Sequence, residues 1–289
     1  MNSEYEIMAP VGSRESLVAA IQAGADSIYF GIERLNMRAH SASTFTIDDL
    51  REIAQTCNEH GIKSYLTVNT IIYGEDIPLM HEIIDAAKEA GISAVIASDV
   101  AVMTYCNKVG QEVHLSTQLN ISNIEALKFY AQFADVVVLA RELNMEQVAE
   151  IYRQVEAEHI CGPSGEQIRI EMFCHGALCM AVSGKCYMSL HAANRSANRG
   201  ECIQVCRETN AVMEIRKAAT GATNQIEAVG VGSALGIGQS VTVLPGVCLA
   251  SDDGSVTVDG VVDGQMQGVD LCAVVGVGVA VGVVAAGGV

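Results

Sequence analysis

Residues 63–98 read KSYLTVNTIIYGEDIPLMHEIIDAAKEAGISAVIAS, and this stretch decides the fold. Two apolar runs, KSYLTVN and AVIAS, flank the segment IPLMHEIIDAAKEAG, in which apolar residues recur with the period of a helix. Apolar runs without polar alternation are typical of parallel strands that are buried on both faces. The stretch therefore predicts a strand, a helix and a second, parallel strand.

The same unit recurs through the first 173 residues. Seven apolar runs predict strands: EIMAP, SIYFG, KSYLTVN, AVIAS, EVHLS, VVVLA and IRIEMF. Helical segments lie between them, and several end at a glycine that precedes the next strand, as Gly61 and Gly91 do. Seven such units without a central reversal predict an α/β fold, a (β/α)8 TIM-like barrel, rather than a doubly wound sheet.

The composition changes after Lys217. Residues 218–289 contain no Lys or Arg, no aromatic residue follows Tyr187, and Gly, Val and Ala dominate. A packed domain of this composition is unusual among folded proteins. We therefore divide the chain into a barrel that carries a Cys-rich stretch, residues 1–207, and an atypical Gly/Val-rich C-terminal segment, residues 208–289. Three interpretations are open for that segment: a β-rich or Gly-rich element that completes the barrel, a disordered tail, or a recorded sequence that differs from the native one. The last is slightly favoured, because the apolar content is too high for ordinary disorder.

The formal net charge of −17 opposes simple electrostatic binding of nucleic acid, so an RNA partner would need a local basic patch. The chain opens without the pattern of a signal peptide, and its apolar tail is built from Gly, Val and Ala, so no membrane partner is expected. We predict a cytoplasmic protein, in which clustered cysteines bind metal more often than they form disulfides.

Residues 171–207, EMFCHGALCMAVSGKCYMSLHAANRSANRGECIQVCR, hold five of the ten cysteines. Soft thiolate ligands at this density can hold a metal ion or an iron–sulfur cluster. None of the spacings is the two-residue spacing of a zinc ribbon, which disfavours a zinc finger. The alternative is that some of these thiols pack as small apolar side chains in the core.

Side chains at the C-terminal ends of barrel strands usually carry the chemistry. In HLSTQLN, four polar residues alternate, which predicts one polar strand face that points inward: His114, Ser116, Gln118 and Asn120. Because unpaired polar groups are costly inside a barrel, this face predicts a ligand cavity, with a structural hydrogen-bond network as the alternative. Asn69, at the end of the third strand, is a further candidate.

Two arginines and one acid–histidine pair also lie at predicted strand ends. Arg38 in LNMRA and Arg141 in LARE could bind a small carboxylate through bidentate guanidinium contacts, or could form salt bridges at helix starts. Glu171 and His175 are predicted to share a face of the seventh strand, where they could transfer a proton or orient the cysteine loop.

The cysteine stretch resembles the signature region of the U32 peptidase family, the collagenase-like proteases. The segments APVGSRESLVAAIQAGADSIYFG, LNMRA, HLSTQLNISN and VVLARELN are similar to that family as well, and the likeness covers residues 5–207. Within the family, the chain looks most like the bacterial tRNA 5-hydroxyuridine synthesis proteins. The resemblance implies a barrel that binds a [4Fe–4S] cluster. It also implies that the protein hydroxylates the wobble uridine of tRNA, with prephenate as the hydroxyl source.

The resemblance also implies four cysteine ligands for the cluster: Cys179, Cys186, Cys202 and, in LPGVC, Cys248. Cys206 is the substitute for the fourth ligand, and Cys174 is interpreted as a packing residue because the family usually has an apolar residue there. The last barrel strand of the family has the form G-V-D-x-x-K-I-E-G-R. Residues 268–276 lack its charged pair, which puts the functional groups of the eighth strand in doubt.

Two other functions remain open, a U32-type peptidase and a non-catalytic accessory subunit. The sequence contains neither G-x-S-x-G nor H-E-x-x-H. Cys174 and His175 are adjacent on a predicted strand, so their side chains should point to opposite faces, which disfavours a Cys–His dyad. A cluster explains several cysteines at once, so we expect an enzyme that hydroxylates RNA.

Overall fold

The computed structural model describes residues 5–37, 39, 45–176, 179–207, 249–250, 256–257 and 281–285. Seven parallel strands form one curled sheet in chain order, from β1 to β7: Tyr5–Pro10, Ser27–Gly31, Lys63–Val68, Ala94–Ala97, Val113–Leu115, Val136–Val138 and Arg169–His175. Every strand overlaps one of the seven predicted apolar runs. The prediction of an α/β fold with a parallel sheet is therefore confirmed.

Six helices connect consecutive strands, from α1 to α6: Arg14–Gln22, Ile47–His60, Ile77–Ala90, Val100–Val109, Ile124–Ala131 and Met145–Glu158. A short helix, α7 (Met188–Ala193), follows β7. Single turns of 3-10 helix lie at Gly74–Asp76, Thr117–Leu119, Ala197–Arg199 and Val205–Arg207. In the part of the chain that the structure describes, no helix is long and apolar enough to cross a membrane.

Local sequence signals explain where the helices begin and end. Thr46 caps α2, since its hydroxyl accepts from the backbone N–H of Asp49 while the Asp49 carboxylate accepts from the Thr46 N–H. Gly61 and Gly91 then end α2 and α3 in the left-handed conformation, at φ of 68° and 76°. Because these glycines end the helices abruptly, the chain returns to the sheet within a few residues.

The eighth position of the sheet differs from a (β/α)8 barrel. β10 (Val281–Ala285) lies between β1 and β7 and closes the barrel, but it is antiparallel to both neighbours. A parallel strand would need a crossover that returns the chain to the other end of the barrel. Two further strands, β8 (Leu249–Ala250) and β9 (Val256–Thr257), pair with each other. The predicted strand at 268–276 lies outside the described residues.

Alternate strand residues are buried in two separate cores. One face of the sheet packs under the helices, as Leu66 does with Ile83 and Ile84 of α3. The opposite face fills the inside of the curled sheet, where Met8 and Val136 are buried. Polar side chains share this inner space, and they form the part of the candidate site that lies inside the barrel.

Candidate functional site

Three polar side chains meet inside the barrel, on alternating strands. Tyr65 of β3, His114 of β5 and Glu171 of β7 are each at most 4% exposed. The ring centroids of Tyr65 and His114 are 4.6 Å apart, and His114 Nδ1 lies 3.9 Å from Glu171 Oε2. Neither of these last two atoms has a hydrogen-bond partner among the described residues. The prediction that Glu171 works with His175 therefore gives way to a closer pair, Glu171 with His114.

Burial sets the protonation of this pair. Burial, with a smaller contribution from the Glu6 carboxylate, raises the pKa of Glu171 to about 8. Burial also lowers the pKa of His114, although the Glu112 carboxylate opposes that change. At neutral pH the pair is therefore a protonated carboxyl beside a neutral imidazole. Transfer of the proton from Glu171 to His114 would create a buried carboxylate and a buried imidazolium, which burial disfavours, so the resting pair keeps the proton on Glu171.

Ion pairs close the interior at the N-terminal ends of the strands. Glu6 accepts hydrogen bonds from Lys63 Nζ and from the Tyr65 hydroxyl, both at 2.5 Å. Glu112 accepts from Arg169 Nη2 at 2.9 Å and lies 3.3 Å from His114 Nε2. Sequence reasoning missed all of these contacts. The signal was present as polar residues two apart within the predicted strands, in K-S-Y, E-V-H and R-I-E.

A second cluster of polar side chains lies at the mouth of the barrel, at the C-terminal ends of the strands. A cavity of about 70 Å³ is lined there by Asn69, Ser98, Gln118 and Asn198, among others. Asn69 contacts two of the polar residues here. Its side-chain Nδ2 donates to Ser116 Oγ at 3.4 Å, and its backbone carbonyl accepts from Ser98 Oγ at 2.7 Å. The structure thus brings together three of the predicted substrate-binding residues, Asn69, Ser116 and Gln118.

The prediction of one polar face along HLSTQLN is wrong beyond Leu115. β5 ends there, and Ser116 turns the chain into a 3-10 helix by accepting from the Gln118 N–H at 3.3 Å. Asn120 then adopts the left-handed conformation, at φ 52°. Serine at this point competes for backbone hydrogen bonds and so ends the strand. His114 lies inside the barrel, whereas Gln118 reaches the mouth from a turn.

Residues 179–207, which we call the cap, lie across this mouth. Ser183 fixes one end of the cap, because its N–H and hydroxyl donate to the Glu142 carboxylate at 2.6 and 3.1 Å. The next residue, Gly184, passes so close to the mouth that a Cβ would lie 1.9 Å from the carbonyl oxygen of Gln118. Only glycine fits at this crossing.

An arginine fixes the other end of the cap. Arg199 donates to the Ile71 carbonyl at 2.7 Å and to the buried Asp76 carboxylate at 2.5 Å, and its guanidinium lies 3.8 Å from the centre of the Tyr73 ring. Arg34 adds a second cation at 3.2 Å from Asp76. The cap is therefore fastened to the loops that follow several different strands.

Two predicted substrate-binding residues contact the cap. Arg141 donates through Nε and Nη2 to Ser183 Oγ at 3.4 and 3.3 Å, and its guanidinium lies 5.9 Å from the centre of the Phe173 ring. Asn120 Nδ2 donates to the Ser183 carbonyl at 3.3 Å. Arg38 lies outside the described residues. The Nη1 group of Arg141 has no partner among the described residues and could donate to a carboxylate while Nε and Nη2 keep their contacts with Ser183.

The predicted cluster ligands Cys179, Cys186 and Cys202 all lie in the cap as free, partly buried thiols. Asn198 Nδ2 donates to the carbonyl of Cys186 at 3.3 Å, which joins this thiol segment to the cavity. Within the described ranges, no three Cys, His, Asp or Glu side chains are close enough together to hold a metal ion. Cys248 lies outside those ranges.

His175 lies at the exposed end of β7, separated from the buried Glu171. The pairing of β7 with β10 shifts register here, since Gly282 pairs with Phe173 and Val281 with His175. Cys174 is therefore the extra residue of a bulge. Strict alternation of side chains is interrupted at this point, and the argument that Cys174 and His175 point to opposite faces loses its basis.

The chain matches the family model "Peptidase family U32" over residues 12–231. A protein named collagenase, from Porphyromonas gingivalis, is 69% identical over 71% of this chain and 50% of its own length. The tRNA hydroxylation protein P1 of Bacillus subtilis is 35% identical over 70% of this chain and 46% of its own length. The 23S rRNA 5-hydroxycytidine C2501 synthase of Escherichia coli is 35% identical over 70% of this chain and 29% of its own length. The chain thus spans half the length or less of these relatives.

Proposed function

The chain belongs to peptidase family U32, and we propose that it is the TIM-like barrel part of a cytoplasmic, iron–sulfur-dependent RNA hydroxylase. Relatives named for the hydroxylation of tRNA and of 23S rRNA support RNA as the substrate. The proposed product is 5-hydroxyuridine at the tRNA wobble position, with a hydroxyl group that comes from prephenate. The observation that carries the proposal is the concentration of three thiols in the cap, beside a polar cavity at the barrel mouth.

The proposed cofactor is a [4Fe–4S] cluster on Cys179, Cys186, Cys202 and Cys248, with Cys206 as the substitute fourth ligand. Thiolates are the usual ligands of such clusters, which can supply electrons to a reaction. Among the described residues, no three of these thiols lie close enough together to bind one metal centre. The cap therefore has to rearrange for the cluster to bind, and its two ends, at Ser183 and Arg199, are the contacts that would limit this rearrangement.

The residues of the mouth are suited to binding and orientation. Asn69, Ser116 and Gln118 offer amide and hydroxyl groups to a small carboxylate, and Arg141 offers the Nη1 donors of its guanidinium. Glu171, deeper in the barrel, can hold a proton beside the neutral imidazole of His114. A cavity of about 70 Å³ has room for roughly two water molecules, whereas ligand pockets usually measure about 300–1,000 Å³. A small carboxylate therefore needs more room than this cavity offers.

Loss of the gene tests the hydroxylation. We expect that deletion in the source organism removes 5-hydroxyuridine derivatives from digested tRNA, as measured by mass spectrometry. Restoring the gene should restore the modified nucleoside. If neither tRNA nor rRNA loses any hydroxylated nucleoside in the deletion strain, the proposal is wrong.

One observation favours a second candidate, a peptidase. The relative named collagenase is 69% identical to this chain, whereas the tRNA hydroxylation protein P1 is 35% identical. Incubation of the purified full chain with gelatin separates the two. Cleavage by an iron-free preparation, together with unchanged RNA modification in the deletion strain, would establish the peptidase instead.

A further inference from the structure

We propose that the outer surface of the cap, around Lys185, Tyr187 and Arg195, is a docking surface for single-stranded RNA. The inference rests on the proposed function and adds to it the surface that holds the substrate. It also answers a difficulty raised by the composition, namely that a chain with a net charge of −17 needs a local basic patch to bind RNA.

The cap reverses the charge of the rest of the chain. Residues 179–207 contain four basic residues, Lys or Arg, and one acidic residue, Glu201, so their net charge is +3. The whole chain has 34 acidic and 17 basic residues. A positive segment placed across the barrel mouth of an acidic protein attracts a polyanion to that mouth rather than to the remaining surface.

Two cations of the cap have no side-chain partner in the part of the chain that the structure describes. Lys185 and Arg195 are exposed, and neither forms an ion pair or a hydrogen bond through its side chain with the described residues. Most other described cations are engaged: Arg199 binds Asp76, Lys63 binds Glu6 and Arg169 binds Glu112. An exposed cation without an acidic partner can bind a phosphate without first breaking an internal contact.

Two of the acidic groups at the mouth are already engaged, whereas Glu75, next to Asp76, is exposed. Asp76 is buried between Arg199 and Arg34, and the Glu142 carboxylate accepts hydrogen bonds from Ser183. Burial alone would raise the pKa of Asp76, but the hydrogen bond from Arg199 lowers it, so the pair stays ionised. Both carboxylates therefore repel an approaching phosphate less than free surface acids would.

An aromatic side chain stands between the two cations in the sequence. Tyr187 is 68% exposed, the largest exposure among the large apolar side chains of the described residues, and it directly precedes α7. His191 lies one helical turn further on, and its backbone N–H donates to the Tyr187 backbone carbonyl at 2.9 Å. Met188 and Leu190 are exposed beside it. Unpaired bases stack on such side chains, whereas the bases of a duplex are not available to them.

Binding of a fluorescein-labelled oligouridylate to the full chain tests the surface. Each phosphate contact to a single strand contributes about 0.7 to the salt slope, so loss of two contacts weakens binding roughly 20-fold at 0.1 M salt. We expect this loss in the double variant Lys185→Glu and Arg195→Glu. Tyr187→Ala should weaken binding at least about fivefold through lost stacking, and a duplex RNA of the same length should bind more weakly than the oligouridylate.

The matched control reverses two cations at the opposite end of the barrel. Lys88 and Lys108 are exposed near the C-terminal ends of α3 and α4, which lie at the N-terminal side of the sheet. Unlike the two cap cations they make internal contacts, because Lys88 Nζ donates to the Gly110 carbonyl at 2.6 Å and Lys108 Nζ lies 5.8 Å from the centre of the Tyr105 ring. Lys88→Glu with Lys108→Glu changes the net charge by the same amount, and we expect less than a twofold effect on binding. Thermal unfolding of both double variants verifies that they are folded.

Several outcomes would overturn the docking surface. These are equal weakening by the two double variants, binding of duplex RNA as tight as that of oligouridylate, and binding of anionic phospholipid vesicles in preference to RNA. A failure of the surface is separable from a failure of the proposed function. If chromosomal Lys185→Glu with Arg195→Glu leaves the hydroxylated nucleoside at its normal level while gene deletion removes it, the surface is wrong and the function stands.

Discussion

At the scale of single residues, the buried carboxyl group of Glu171 makes the stability of the fold depend on pH. The pKa of Glu171 is raised from 4.5 to about 8, chiefly by burial. The unfolded chain releases this proton near pH 4.5 and the folded chain keeps it until about pH 8, so stability is lost as the pH rises through that window. Glu171→Gln cannot ionise. Its free energy of unfolding, relative to that of the wild type, should increase by about 1.4 kcal/mol per pH unit there.

Urea unfolding between pH 5 and pH 8 measures this difference. Glu156→Gln, which changes an exposed glutamate on α6, is the matched control and should follow the wild type at every pH. A pH dependence that is identical in wild type and Glu171→Gln would show that Glu171 is ionised in the folded barrel.

The interior polar residues also show what the sequence can predict at this scale. His114 and Glu171 were predicted as site residues, and the structure brings them to 3.9 Å. Glu6 and Tyr65 were missed, because a buried parallel strand is recognised by its apolar residues and a single polar residue does not interrupt that pattern. Their meeting depends on which strands face each other across the barrel, which no local pattern contains.

At the scale of elements, Gly184 decides how closely the cap approaches the mouth. Its φ is +73°, and a Cβ would lie 1.9 Å from the Gln118 carbonyl oxygen. Gly184→Ala should therefore push the cap from the mouth and destabilise the fold by roughly 1–3 kcal/mol. Gly165→Ala is the matched control, because Gly165 also has a positive φ, +83°, but has nothing within 4 Å of the added Cβ.

Limited proteolysis distinguishes these two variants. We expect faster cleavage within residues 179–207 in Gly184→Ala than in Gly165→Ala, with the barrel fragment preserved in both. Equal cleavage would mean that backbone strain, and not the contact with Gln118, explains the effect.

The elements themselves were predictable to different degrees. Apolar runs and glycine stops placed all seven parallel strands, because burial on both faces leaves a strong local pattern. The end of β5 at Leu115 was not placed, since a serine that caps a turn and a serine that alternates on a strand look alike in the sequence. The antiparallel direction of β10 was also missed, because seven repeated units favour an eighth of the same kind.

At the scale of the whole molecule, an acidic barrel carries a basic, thiol-rich cap over its C-terminal mouth. The cap supplies three of the four proposed cluster ligands, the anchors at Ser183 and Arg199, and the proposed RNA surface. These three roles are coupled, because any movement that gathers the thiols must also shift the residues that line the cavity. This coupling places substrate access and cofactor binding in the same segment.

Iron and acid-labile sulfide analysis of the full chain, purified without oxygen, tests the central claim most directly. We predict about four iron and four sulfide per chain, with visible absorbance. The cap variant Cys186→Ser should lose most of this iron, whereas Cys161→Ser, at an exposed cysteine outside the cap, should keep it. A wild-type chain that is folded, colourless and free of iron after reconstitution with iron and sulfide would contradict the account.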